Sequence, residues 1–431
     1  MPSSPFLGLP GAVEQPEAID HGVPSHYGSP NIEQRKIEQG TAVADLSNRG
    51  VITVTGPDRL TWLNSITSQE LRSLAPGEST ETLFLDINGR IEHEAKLVDD
   101  GTTVWLITEA EDAEPIRAWL DRMRFMLRVE VADVTEQFAV LGGIAALELA
   151  AASPNGSPLV WHDPWHDVTV GGHQYARAEH PAATWTWTET IVPRADLPAL
   201  VARIRAGELT AAGSLAAEAL RIAAWRPRLA AEVDERSIPH ELDWLRSAVH
   251  LNKGCYRGQE TVAKVHNLGH PPRRLVLLLL DGSDSVLPAP GSAVFLRPPL
   301  TREDGAGGGA AGGAAGASAL EGALEEAPDA VAPAASAVDA PAPDAPAPDA
   351  PAPDAPAPDR KLLGHITSSA IHHELGPVAL AVIKRTADPD AVLYVDGGGS
   401  VVTATQDVIV PSDAGAVADV PRLPRLGAVR R

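Results

Sequence analysis

The sequence predicts an α+β protein, a mixed body followed by a small β-rich C-terminal unit that an insert interrupts. Three observations predict it. Strand and helix patterns mix between residues 21 and 273 without repeated βαβ units, which argues against a doubly wound sheet. The aliphatic run Leu275 to Leu280 ends at Asp281-Gly282, as a buried strand does. Strand-like sequence then resumes at Leu362, beyond a low-complexity stretch at 303–359. The flanks Arg274 to Leu296 and Lys361 to Val410 are therefore expected to pair in one antiparallel domain. The resulting division is a body of two interleaved α+β subdomains (21–273), a β domain (274–302 with 360–411), the insert (303–359) and a tail (412–431).

Within the body, Val51 to Thr55 reads as a strand closed by Gly56-Pro57, with Asp58 suited to cap the helix marked by Leu60, Leu63 and Ile66. Leu83 to Leu85 leads into an Asn88-Gly89 turn and a second strand towards Leu97. Ile116, Trp119, Leu120 and Met123 form one apolar helix face. Leu197, Leu200, Val201 and Ile204 form another, which Gly207 is placed to stop. The insert joins a Gly/Ala tract (Gly305 to Ala317) to PAPDA repeats from Pro341 to Asp359. It has almost nothing to bury, so ordering it would cost entropy without return, and it is expected to be a disordered spacer.

Length and charge narrow the function. A chain of 431 residues has room for two or three domains. A formal charge of -22 argues against a nucleic-acid binder that works through a broad basic face. The longest aliphatic run is too short to cross a bilayer and no secretory signal is apparent, so a cytoplasmic protein is expected. No phosphate loop, HExxH or GxSxG pattern is present. One cysteine permits no internal disulfide, no self-held cluster and no Cys-rich zinc site, and no metal centre is assigned.

That cysteine, Cys255, lies in Lys253-Gly254-Cys255-Tyr256-Arg257-Gly258-Gln259-Glu260. Nearby cations favour the reactive thiolate, and Lys253 and Arg257 bracket the sulfur. Gly254 and Gly258 permit a left-handed turn or a close backbone approach. The alternative is a small apolar residue beside a turn.

In this octapeptide the chain resembles the YgfZ-type folate-binding proteins, relatives of the glycine-cleavage T-protein, an aminomethyltransferase. Further matching stretches are His26-Tyr27-Gly28, Asp45-Leu46-Ser47, Leu83 to Ile91, Ala219 to Ile222, Ile238 to Glu241 and Gly364 to Ser368. The resemblance implies three domains in a ring around a central folate channel. It implies tetrahydrofolate or a one-carbon derivative as cofactor, and a role in assembling or repairing iron–sulfur enzymes, linked in some members to tRNA modification. Iron–sulfur enzymes or their assembly factors are then the partners.

Carried onto this chain, the resemblance makes Cys255, with Lys253, the reactive centre. It puts Glu189 where the family's pterin-holding acid is expected, and a pterin's amino group and ring N–H do ask for a carboxylate. Arg221 and Arg226, with Arg228 beside them, are candidate cations for the glutamate tail. Tyr256, Gly258, Gln259 and Glu260 complete the expected folate contacts. Trp185, Trp187 and Trp225 could wall the pocket or simply be core. Two departures bear on activity. Where the T-protein has a paired Asp-Asp after the hairpin turn, this chain has His93-Glu94, and Ala223-Ala224-Trp225 replaces Glu-Ala-Gly. A binding role is therefore favoured, with one-carbon transfer as the alternative, and a thiol redox sensor as a third reading.

Overall fold

The computed structural model describes residues 3–144, 149–283, 286–296 and 361–418. The insert expected at 303–359 lies outside them. The first part of the body contains α1 (Pro30–Glu38), β1 (Ala42–Asp45), β2 (Gly50–Thr55), α2 (Arg59–Ile66), β3 (Ser79–Leu85), β4 (Ile91–Asp99), β5 (Thr103–Thr108), α3 (Ala113–Met123) and β6 (Glu130–Asp133). Next come β7 (Phe138–Ile144), β8 (Val160–His162), β9 (Trp187–Pro193), α4 (Leu197–Arg205), β10 (Thr210–Ala212), α5 (Ser214–Ala223), α6 (Leu229–Glu232) and α7 (Gln259–Leu268). The last strands are β11 (Arg273–Leu280), β12 (Ala293–Phe295), β13 (Leu362–His372), β14 (Gly376–Lys384), β15 (Leu393–Asp396) and β16 (Val401–Val408).

Two five-stranded sheets build the body, in the orders β10-β1-β7-β9-β8 and β3-β4-β5-β2-β6. The expected hairpin is present: β3 and β4 pair antiparallel, and Gly89 takes the left-handed φ of 76° that the turn demands. The helix faces expected on α3 and α4 bury Ile116 and Leu120, and Leu197, Leu200 and Val201. Asp58 does occupy the N-cap of α2, but its carboxylate caps nothing. It is drawn instead to the Arg128 guanidinium at 2.6 Å, since a charge-assisted pair outcompetes a cap.

The two flanks of the insert close into a six-stranded barrel, β11-β14-β13-β12-β15-β16. Strand β11 is central to it, pairing with β14 over Arg273 to Leu279 and with β16 over Val276 to Leu280. Its run of leucines is buried because alternate residues face the barrel interior (Val276, Leu278, Leu280) and the body core (Leu275, Leu277). Closure removes the free edges that a short antiparallel sheet would otherwise expose. Beyond the barrel, the amides of Val417 and Ala418 donate to the α7 carbonyls of His266 and Asn267, so the chain folds back onto that helix. No helix among the described residues is long and apolar enough to cross a membrane.

Candidate functional site

Strand alternation decides what faces the main cavity, a cleft of about 600 Å³ with its solvent-open mouth included, walled by both body sheets and by α5. On β9, Trp187 and Glu189 stand two residues apart and share a face. On β4 the same spacing brings Glu94 and Lys96 into the cavity and turns His93 away. Helix α5 contributes Ser214, Ala217, Glu218 and Arg221 at helical intervals, and the chain leaving it adds Arg226 and Arg228.

Glu189 is almost wholly buried, yet only one of its oxygens is engaged. Oε1 accepts from Lys96 Nζ at 2.6 Å and from Trp187 Nε1 at 3.3 Å, while Oε2 has no partner among the described residues. Trp185 and Trp187 lie beside it as a stacked pair, with ring centroids 5.5 Å apart and planes 11° from parallel. Trp185 is fixed by donating Nε1–H to Asp163 at 2.8 Å. The glycine opposite Glu189 in the β7–β9 register, Gly142, makes this arrangement possible. A Cβ there would lie 2.3 Å from the Trp187 ring.

The arginines divide. Arg221 spends all of its N–H groups on protein: Glu218, Glu232 at 3.0 Å, the Arg226 carbonyl at 2.9 Å and the Ser368 hydroxyl at 2.6 Å. Arg228 is likewise consumed by Asp20 and Glu109. The Arg228 and Arg49 guanidiniums hold the Asp20 carboxyl far below the usual range and bring Glu109 down to about 2, outweighing the upward push of burial. Arg226 differs: it bonds Glu81 and Asp163 but leaves Nη1 without a partner among the described residues. Of the three arginines offered for an anionic tail, Arg226 alone keeps a buried donor without a partner among the described residues, and Arg221 is a structural tie between α5 and β13.

The carboxyl that matters on β4 is Glu94, not a group at the position of His93, which the comparison of motifs brings forward. His93 bonds Asp112 at 2.5 Å and belongs to packing outside the cavity. Glu94 has an unpartnered Oε1, and burial together with the neighbouring Glu81 carboxylate pushes its pKa up to about 8, against the pull of Lys96 and Arg226. It is a neutral carboxylic acid near pH 7, able to donate or hold a proton. Strand period is the sequence signal that finds both Glu94 and Lys96.

The octapeptide lies elsewhere. Cys255 is exposed and does not line the cavity. Both flanking cations have partners of their own. Lys253 is buried and donates to the carbonyls of Asn64, Thr67 and Gln69 at 2.5–2.8 Å, closing the end of α2. Arg257 pairs with Glu92 at 2.5 Å. Tyr256 is buried with its ring 5.2 Å from the Lys253 ammonium. Gly258 has φ of 84° and approaches the β3–β4 turn so closely that a Cβ would sit 2.6 Å from the Asp86 carbonyl. Gln259 braces the loop from within by donating to the Lys253 carbonyl at 3.2 Å, and Glu260 is exposed. None of Tyr256, Gly258, Gln259 and Glu260 lines the cavity with Glu189, and Trp225 lines a separate surface pocket.

A GCVT N-terminal domain profile matches residues 15–153. A chloroplastic protein of Arabidopsis thaliana, named as a transferase, is 25% identical over 66% of this chain and 65% of its own. The match thus spans just under two thirds of that relative. The tRNA-modifying protein YgfZ of Shigella dysenteriae is 26% identical over 58% of this chain and 75% of its own. In structure, aminomethyltransferase T of the Bartonella henselae glycine cleavage system superposes with a TM-score of 0.61 at 14% identity, covering 93% of this chain and 94% of that one. The chain thus carries a GCVT N-terminal domain match, is similar to YgfZ and to the aminomethyltransferases, and shares the aminomethyltransferase fold.

Proposed function

We propose that this chain binds a reduced folate in the cleft that Glu189 lines and acts as an accessory protein in the assembly or repair of iron–sulfur enzymes, with a consequence for tRNA modification. The observation that carries the folate reading is the free Oε2 of buried Glu189 beside the stacked Trp185–Trp187 pair. A carboxylate oxygen buried without a donor is costly, and a pterin's amino group and ring N–H supply the donors it lacks. The indole faces suit a flat heteroaromatic ring. Arg226 Nη1 offers the ligand a donor from the same wall. When bound, tetrahydrofolate would supply one-carbon chemistry, and this chain's residues hold and orient the ring and keep water from it.

The iron–sulfur part rests on the KGCYxGQE segment and the likeness to YgfZ. Exposure of Cys255 suits a thiol that meets a partner protein instead of the folate. It can give a cluster in transit one ligand, so the client or assembly factor must provide the others. A second reading, tetrahydrofolate-dependent one-carbon transfer, is favoured by Glu94, a proton-holding acid on the cavity wall.

Calorimetric titration with tetrahydrofolate and its formyl and methyl derivatives tests the binding step. Saturable 1:1 binding is expected, weakened about 10- to 100-fold in Glu189→Ala, the range for losing a charged hydrogen-bonding partner. Binding that ignores Glu189→Ala would overturn the site. In cells depending on this chain, Cys255→Ser should lower the activity of iron–sulfur enzymes while folate binding stays intact. Methylene-tetrahydrofolate formation from an aminomethyl donor, abolished in Glu94→Ala, would instead establish the transferase.

A further inference from the structure

We propose that Glu38, His372 and His373 form a binding site for one divalent transition-metal ion of the zinc class, at the junction of α1 with the β13–β14 turn. Each of these side chains offers a ligand atom within 4.8 Å of the other two. Two imidazoles and a carboxylate are a donor set that suits zinc and its neighbours and leaves a position open to water. The site is independent of the folate reading; only Trp185 is common to the two cavities.

The second observation is an unmet polar atom. His373 Nε2 comes within 2.7 Å of Glu38 Oε2, yet it makes no aligned hydrogen bond, and the His373 side chain is only 4% exposed. A cation between the two atoms satisfies both. The scaffold is already rigid: Gln34 on α1 donates to the Ile371 carbonyl at 2.9 Å and accepts from the His373 amide at 2.9 Å. Metal can enter, because Glu38 and His372 line a cavity of about 900 Å³ together with Glu374.

Proton inventory limits the affinity. Arg35 Nε donates to His373 Nδ1 at 3.4 Å, and the amides of Glu374 and Leu375 approach His372 Nδ1 at 3.3 and 3.2 Å. Both rings therefore keep their proton on Nε2 in the metal-free chain. Ligation through Nε2 displaces it and gives up these contacts, all at the long, weak end of hydrogen-bond distances. Tetrahedral bonds of about 2.0–2.2 Å also require the ligand atoms to stand roughly 3.3 Å apart, so the His373–Glu38 pair must open from 2.7 Å while wider separations, up to 4.8 Å, close. Exposed Glu38 and Arg35 can move to allow both changes. Micromolar binding is expected from a site that must pre-empty in this way.

The test titrates Zn²⁺ into tag-free, chelator-stripped full-length protein carrying Cys255→Ser, with metal content checked by mass spectrometry. One ion per chain is expected, with a rise in melting temperature. His372→Ala/His373→Ala should abolish binding, and Glu38→Gln, at an exposed position that does not threaten folding, should weaken it at least tenfold. Arg35→Ala should tighten it by removing the donor that competes for His373. Absence of saturable Zn²⁺ binding, or binding unchanged in Glu38→Gln, overturns the proposal and leaves His373–Glu38 as an ion pair.

Discussion

Glu94 and Lys253 show how burial assigns roles that residue type alone does not. Six acids and five cations line the main cavity, and a protonated Glu94 brings the two charges into balance. Its folded pKa, about 8, lies above the ordinary 4.5, so the folded chain holds a proton that the unfolded chain has lost between those values. Stability from this group is full below about pH 4.5 and is lost as pH rises through 8. Glu94→Gln removes that dependence. Between pH 6 and 9 the wild type should lose on the order of 2 kcal/mol relative to the variant, read from denaturant midpoints at each pH. Asp243, also raised by burial, to about 7, is common to both proteins and cancels in the difference. Lys253 makes the complementary case. Lys253→Met keeps the apolar stem but orphans three carbonyls, and should cost about 2–4 kcal/mol while leaving Cys255 as exposed as before.

At the scale of elements, most of the architecture was legible because periodicity reports which face is buried. The strand-like run Val51 to Thr55 closed by Gly56-Pro57 and the Asn-Gly turn are local signals, and local signals survive folding unchanged. The site was legible in part. Glu189 was placed from the family motif, and its cavity position agrees with strand alternation on β9. Cavity partners that come from other elements were not readable: Lys96 is 93 residues away in sequence, and Arg221's use as a tie depends on Glu232 and Ser368. The partners of the two cations that bracket Cys255 were unreadable for the same reason, since proximity in sequence says nothing about which carbonyl or carboxylate a long side chain will reach. Gly142 is the test of the element-level account. Gly142→Ala drives a methyl group into Trp187 and Leu46, at 2.3 and 2.8 Å, so β7 and β9 must separate or the indole must swing out. About 1–3 kcal/mol of stability should be lost, read from denaturant midpoints. Folate affinity should fall with it, even though the glycine itself offers a ligand nothing.

On the scale of the whole molecule, the body and the barrel are joined by buried charge as well as by apolar packing. Arg221 on α5 reaches Ser368 on β13 directly and Glu232 on α6 at 3.0 Å. Glu232 in turn accepts from the Thr367 hydroxyl at 3.0 Å and from that of Ser368. Both charged groups are buried, so the network stabilises only while complete: a buried ion deprived of its partner keeps its desolvation cost and loses its compensation. Arg221→Met leaves the Glu232 carboxylate with only two hydroxyls and the Arg228 amide as donors and should cost about 3–5 kcal/mol. The double variant Arg221→Met/Glu232→Gln removes both charges and should recover much of that loss, because a neutral pair carries no such burden. Calorimetry should resolve two transitions in the single variant, barrel and body melting apart, and one in the wild type. A single sharp transition at an unchanged temperature would mean that apolar contacts between α5 and β13 suffice to couple them, and that the buried charges add nothing to the joint.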